Sequence, residues 1–442
     1  MRGIFDKSRI KELIAENSRL YNALFFSTLS AVVSQGLNFL TLILITRKVG
    51  ESTMGRFSVI QSIVILLVSF GLLGQNVSSA ALTSRFKKRY PNHLGLLIGN
   101  AYMLSAVVLI LVGCIVLFSA DRLFPEIYLD SFPRLAGIAV VVLWTFAMTF
   151  DMMQVSIMIG LEAYRDLIKT DALKGLISIS LIYPLSVRYG ISGIVVGYLI
   201  SCFMGVMTNQ FFIRKNLRIL NVTVRFRYSP RIIRRILDIG LPVFTAALFI
   251  SFATWLTNKM VFAEFNGAAA LGIVFVCRQV MFLIQFFPVQ ISRVLLPIIS
   301  EDRDVNSKQK VRITSLVTAV SICAILAVIG LLFEDYILMA YKVDAVSALW
   351  PYRIILLAVI FSSVNMILGQ FVIAGKNPWI RALADFIISM VMIGITFLLK
   401  DNYVFTALPW ALLISYILSD IILAFYVRGK PFSINGLTSN SV

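Results

Sequence analysis

The sequence predicts an all-α polytopic membrane protein of twelve transmembrane helices arranged as two six-helix parallel repeats. Three observations carry that expectation. Of 442 residues, 59% are apolar or aromatic and only 14% are charged, whereas a soluble domain carries about 25% charged residues. Apolar runs of the length a bilayer demands, about 20 residues each, recur along the whole chain. The 40 Lys and Arg exceed the 22 Asp and Glu, a formal charge of +18, and the basic residues alternate in density between successive runs. A soluble enzyme, a disordered tail and a disulfide scaffold are thereby excluded.

Twelve runs lie near 23–46, 57–82, 95–118, 136–160, 172–187, 192–213, 237–260, 268–293, 313–334, 350–374, 379–399 and 404–427. The fifth is short and interrupted by Pro184. Ahead of the first, residues 5–20 alternate charged and apolar positions at helical spacing, which predicts an amphipathic helix on the inner membrane surface. The charged stretch before the first run is too long for a secretory signal, so that span is expected to be an uncleaved anchor. With the N-terminus inside, 29 of the 40 Lys and Arg fall on the cytoplasmic side and 10 outside, leaving Arg278 alone deep in a span. Cytoplasmic loops collect basic residues, so both termini are expected inside. That rule accounts for the basic excess without nucleic acid.

The longest inner loop, 214–236, falls at mid-chain and reads as a basic cytoplasmic linker. It divides an N-lobe (23–213, helices 1–6) from a C-lobe (237–427, helices 7–12). Residues 1–22 and 428–442 form a cytoplasmic segment and tail. Short matches recur between the halves at offsets of 214 to 217 residues: Gly55 with Gly272, Gly160 with Gly375, Ser201 with Ser415. An even number of helices per half makes the repeats parallel, as in secondary transporters whose substrate site lies between halves.

Groups for covalent chemistry are scarce. His93 is the only histidine, and Cys114, Cys202, Cys277 and Cys323 sit in apolar runs without a C-x-x-C partner. Neither metal nor disulfide is implied. No phosphate-binding glycine loop is present: the glycines of segment 369–377 have the wrong spacing and the Ser/Thr is missing. The longest outer loop, 119–135, is too short for a domain, which argues against a membrane glycan polymerase or ligase. No cofactor is expected, and active transport would draw on an ion gradient or on the substrate's own gradient.

Buried polarity remains. Arg278 lies about 15 Å into the eighth span at 1.5 Å per residue, where a charge costs about 2.5–3.5 kcal/mol on insertion scales. It reads as an anchor for phosphate or carboxylate, or as half of a structural ion pair with Asp151. Asp151 reads as a proton carrier, as a partner of a basic residue, or as a carboxylate facing inner water. Asp385 and Asp420, near the inner ends of the last two spans, read as solvated carboxylates singly and as a cation site together. Arg47, Lys48 and Lys259 close the first and seventh spans on the outer side, against the charge rule. They read as cavity-rim groups or as side chains snorkelling to outer headgroups.

Several segments are similar to a known family. RKVGESTMGRFSV (47–59) resembles the first-span signature of Wzx-type polysaccharide flippases, members of the multidrug/oligosaccharidyl-lipid/polysaccharide exporter superfamily. IGLEAYRDL (159–167), YGISGIVVGY (189–198), DIGLPVF (238–244), ALGIVFVCRQV (270–280) and IAGKNPWIRAL (373–383) fall where that family places similar segments. The resemblance implies a MATE-like two-lobed bundle in the bacterial inner membrane. It implies flipping of undecaprenyl-pyrophosphate-linked oligosaccharide units for O-antigen, lipopolysaccharide or exopolysaccharide by alternating access, coupled to H+ or Na+. Membrane lipids and a polysaccharide polymerase machinery would be the partners. Arg47 matches the signature arginine, and Arg278 lies where the family can carry a cavity arginine. One departure is Asn258-Lys259, where many relatives have Asp followed by Arg or Lys. The alternative within the superfamily is a cation-coupled multidrug exporter, for which an acidic cavity is expected.

Overall fold

Every element of the computed structural model is helical, as a chain in lipid requires if its backbone polar groups are to be satisfied internally. The structure describes residues 29, 32–33, 35–300, 305–374 and 378–429. The amphipathic stretch 5–20 and most of the C-terminal tail lie outside them.

Helix α1 (35–49) is followed by α2 (Glu51–Leu72), α3 (Gln75–Arg89), α4 (Pro91–Leu123) and a short turn at Pro125–Ile127. Then come α5 (Arg134–Gly160), α6 (Tyr164–Ile219) and α7 (Pro230–Phe262). The second half holds α8 (Gly267–Ser300), α9 (Val305–Leu332), α10 (Glu334–Tyr341), α11 (Ala345–Ala374), α12 (Pro378–Leu399) and α13 (Val404–Gly429). Among the described residues, ten helices are long and apolar enough to cross a membrane. The 56-residue α6 is two helical arms joined at Gly190, whose φ of 54° and ψ of −131° break the helix. The break falls six residues after Pro184, which sits inside a continuous arm.

The first arm of α6 begins at Tyr164, earlier than the apolar run suggested. Its polar opening turn is held by Asp166, which accepts a hydrogen bond from Asn216 at 3.0 Å and lies 3.8–3.9 Å from Lys169 and Lys215.

The chain forms two compact units. Unit 1 comprises 1–42, 71–121 and 129–240; unit 2 comprises 43–70, 122–128 and 241–442. In unit 2, α2 crosses α8 at Gly55 and Gly272. A Cβ on Gly55 would stand 1.8 Å from the Ala268 carbonyl oxygen, and one on Gly272 would stand 1.9 Å from that of Glu51. The two glycines matched by the repeat offset thus meet reciprocally at one crossing. Phe57 and Phe275 pack edge-on beside it, 5.9 Å apart.

In unit 1 the basic mid-chain segment is ordered by α4. Residues 214–219 continue α6, and 222–229 run extended across Gly95 and Gly99. The Gly95 carbonyl accepts from the Arg225 amide at 3.1 Å. The buried Asn100 amide donates to the Arg227 carbonyl and accepts from the Ser229 amide, both at 2.9 Å. A Cβ on Gly99 would lie 2.1 Å from the Arg225 carbonyl oxygen. Gly99→Val is therefore expected to lift this segment and speed tryptic cleavage after Arg225 or Arg227 severalfold. Cleavage as slow as in the native protein would contradict the docking.

Candidate functional site

Unit 2 gathers polar side chains from α8, α11, α12 and α13. Arg381 and Asp385, one turn apart on α12, form a forked pair: Nε donates to Oδ2 at 3.0 Å and Nη2 lies 2.8 Å from Oδ1. Arg381 Nη1 also donates to the Asn365 carbonyl at 3.1 Å. Asn365 Nδ2 donates to Ser419 Oγ at 2.7 Å. Asp420, next to Ser419 and close to Arg381, is buried with Asn365 as its side-chain hydrogen-bonding neighbour, and it forms no ion pair among the described residues.

Tyr416, one turn before Asp420, lies within electrostatic reach of Arg278, Arg381, Asp385 and Asp420. It is the hub that brings three of the sequence-predicted residues into one neighbourhood. Arg278 itself lies over the Phe282 ring, 5.6 Å from its centroid. Among the described residues it forms no salt bridge. Its chain neighbours Val276, Cys277, Val280 and Met281 are buried. One guanidinium and one carboxylate are thus left unmatched around an Arg–Asp pair, in a low-dielectric setting where an uncompensated charge is expensive.

Asp151 belongs to unit 1 and has a cation of its own. Lys174 Nζ pairs with Oδ2, and Asn209 Nδ2 donates to Oδ1 at 3.0 Å. Gly205 leaves room for the carboxylate: a Cβ there would sit 2.4 Å from Oδ1. Both oxygens are engaged.

Lys259 lies 3.4 Å from Glu126, donates to the Leu123 carbonyl at 3.0 Å and stands over the Trp255 ring. Together with the Phe124–Trp255 edge contact it fastens residues 122–128 to α7. Its neighbour Asn258 is buried, with its amide 3.5 Å from the Ser58 carbonyl. Arg47 and Lys48 are exposed at the end of α1 and join neither cluster through a hydrogen bond or ion pair among the described residues.

Lys174, Asn209 and Tyr416 carry no mark in the sequence, whereas Asn365 is one of its recurring intramembrane amides. Arg381 had a usable signal, since an Arg four residues before an Asp on a helix faces it. Lys174, at the very start of the fifth apolar run, counts among the inner-side charges in the sequence. Among the described residues, no group of three His, Cys, Asp or Glu side chains could hold a metal ion.

Comparison with known proteins agrees with this picture. A sequence profile of the family "Polysaccharide biosynthesis protein" matches residues 20–302. No curated protein matches in sequence. Among solved structures, an inward-facing multidrug resistance MATE family transporter of the MOP superfamily superposes with a TM-score of 0.71 at 12% identity, over 91% of this chain and 98% of its own. An outward-facing transporter of that description gives 0.69 at 13% identity, over 92% and 95%. A MOP superfamily transporter from Pyrococcus furiosus, described as having a binding pocket of reverse polarity that suggests a different function, gives 0.66 at 15% identity, over 92% and 96%. At these identities the likeness establishes the fold, and the profile match over well over half of the chain establishes the family. The chain is a multi-pass membrane protein with a MATE-like fold, and it belongs to the polysaccharide biosynthesis protein family, a flippase family of the MOP superfamily.

Proposed function

We propose that the protein flips oligosaccharide repeat units linked to undecaprenyl pyrophosphate from the inner to the outer leaflet of the bacterial inner membrane. It does so by alternating access, with both termini in the cytoplasm and H+ or Na+ as the coupling ion. Family membership supports a lipid-linked polysaccharide as the substrate class. The observation that carries the reading to a pyrophosphate is Arg278, a guanidinium within a membrane-spanning helix that no described carboxylate neutralises. An intramembrane cation of this kind marks an anion path, and a guanidinium fork matches phosphate oxygens in pairs. The exposed Arg47 and Lys48 add attraction for the same headgroup, and Lys259 supports it from its tether on Glu126. The flipped units then pass to a polymerase machinery for O-antigen, lipopolysaccharide or exopolysaccharide assembly.

Coupling rests on Asp420 and Asp385. Asp420 forms no ion pair among the described residues, so it is the acid best placed to take up a proton or cation; Arg381 supplies the counter-charge that Asp385 already uses. Asp151, held by Lys174 and Asn209, serves as the paired acid of unit 1. The competing reading is a cation-coupled multidrug exporter, favoured by the buried acids of the same cluster. It requires protection against cationic dyes on expression.

Arg278→Ala is expected to reduce surface glycan display at least tenfold at normal protein level, while Arg278→Lys retains part of it. Full display by the Ala variant would remove the anchor role. Asp420→Asn is expected to leave lipid-linked sugar movement in vesicles indifferent to an imposed pH or Na+ gradient; a response equal to the native one would clear Asp420 of coupling. Lys174→Ala leaves Asp151 buried and unpaired, at a cost of about 3 kcal/mol. Adding Asp151→Asn should recover most of the lost thermal stability, and no recovery would show that the pair is not what Lys174 provides.

A further inference from the structure

Unit 1 contains a groove of about 1280 Å³ that the flipping reaction does not use. It runs between α4, α5 and the second arm of α6, and Val224 and Phe226 of the extended segment close one end. Successive turns of α6 supply its layers. Val206 and Met207, with Met103, Ala106 and Phe150, make the apolar part. Gln210, with Tyr102 and Gln154, makes a middle layer of amides and phenol. Arg214, Lys215 and Arg218 make a basic rim at the end that the charge count places on the cytoplasmic side. No acidic residue lines it.

The middle layer is oriented. Tyr102 donates its hydroxyl to Gln210 Oε1 at 2.7 Å, and Gln154 Nε2 donates to the same oxygen at 3.1 Å. That leaves the Gln210 amide nitrogen as a donor toward the groove. Gln154 is only 2% exposed, and its own carbonyl oxygen accepts no hydrogen bond among the described residues. At the rim, Lys215 shares Asp166, 3.9 Å away. Arg214 and Arg218 form no ion pair among the described residues.

We infer that this groove holds one anionic glycerophospholipid of the inner leaflet. The order of the layers is that of such a molecule: acyl chain along the apolar turns, ester carbonyls beside the Gln210 amide, phosphate between Arg214 and Arg218. Basic pockets between membrane helices on the cytoplasmic side are suited to such headgroups. A polyprenyl pyrophosphate has no carbonyl between its chain and its phosphates, so the amide donor would find no acceptor there. The site is therefore a lipid seat separate from Arg278, and it holds whether or not the flipping reading does.

The test is native mass spectrometry of the delipidated full-length protein, titrated with phosphatidylglycerol, with phosphatidylcholine of the same chains, and with a polyprenyl pyrophosphate. One phosphatidylglycerol should bind with about tenfold preference over phosphatidylcholine. Arg214→Gln/Arg218→Gln should abolish that preference while leaving phosphatidylcholine binding unchanged. Met207→Trp, which fills the apolar part and spares the charges, should weaken both phospholipids by a similar factor. Equal binding of the two phospholipids, native behaviour of both variants, or displacement of phosphatidylglycerol by the polyprenyl pyrophosphate would each overturn the assignment.

Discussion

A guanidinium inside a membrane span must be neutralised by something, and for Arg278 no described carboxylate does it. That constraint organises unit 2. Tyr416 places a phenol within reach of Arg278 and of the Arg381–Asp385 pair, so the cluster is polar enough to tolerate a charge, and beside that pair one guanidinium and one carboxylate form no ion pair among the described residues. Helix α8 supports this position by burying the residues on either side of the arginine and by packing tightly on α2 at Gly272.

The two units treat charge differently although their helices repeat. In unit 1, Lys174 and Asn209 take up both oxygens of Asp151, leaving a closed pair of the kind that secures packing. In unit 2, the pair that forms between Arg381 and Asp385 leaves Asp420 without an ion pair among the described residues. The groove on α6 adds a contact to the surrounding bilayer, built from the same basic segment that a sequence reading treats as a loop.

Helical class and long apolar elements were legible because they depend on local composition and on periodicity. Gly55 and Gly272 illustrate the limit: an offset of 217 residues paired them in sequence, but that they pack against each other is a tertiary fact. Arg278 was visible because one charge in a long apolar run stands out. Lys174 and Arg381 were not, since a basic residue near a helix end looks the same whether it faces water or a buried acid. Hydropathy also misplaced the start of α6, because Asp166 in its first turn is matched by Lys169 one turn on and by Lys215 near the far end of the element, which lets a polar stretch remain helical. Asn365 and Tyr416 carry no charge, so nothing in the sequence set them apart from ordinary interhelical polar residues.

The central claim is that the substrate is an anionic lipid-linked sugar moved across the bilayer. The direct measurement uses the purified protein in sealed vesicles that contain a fluorescent oligosaccharide on polyprenyl pyrophosphate, with a membrane-impermeant quencher outside. The account requires rapid exchange of the labelled sugar between leaflets, faster under an imposed ion gradient and blocked by excess unlabelled lipid pyrophosphate. Vesicles in which the label stays in its original leaflet, while a cationic dye is moved instead, would contradict it.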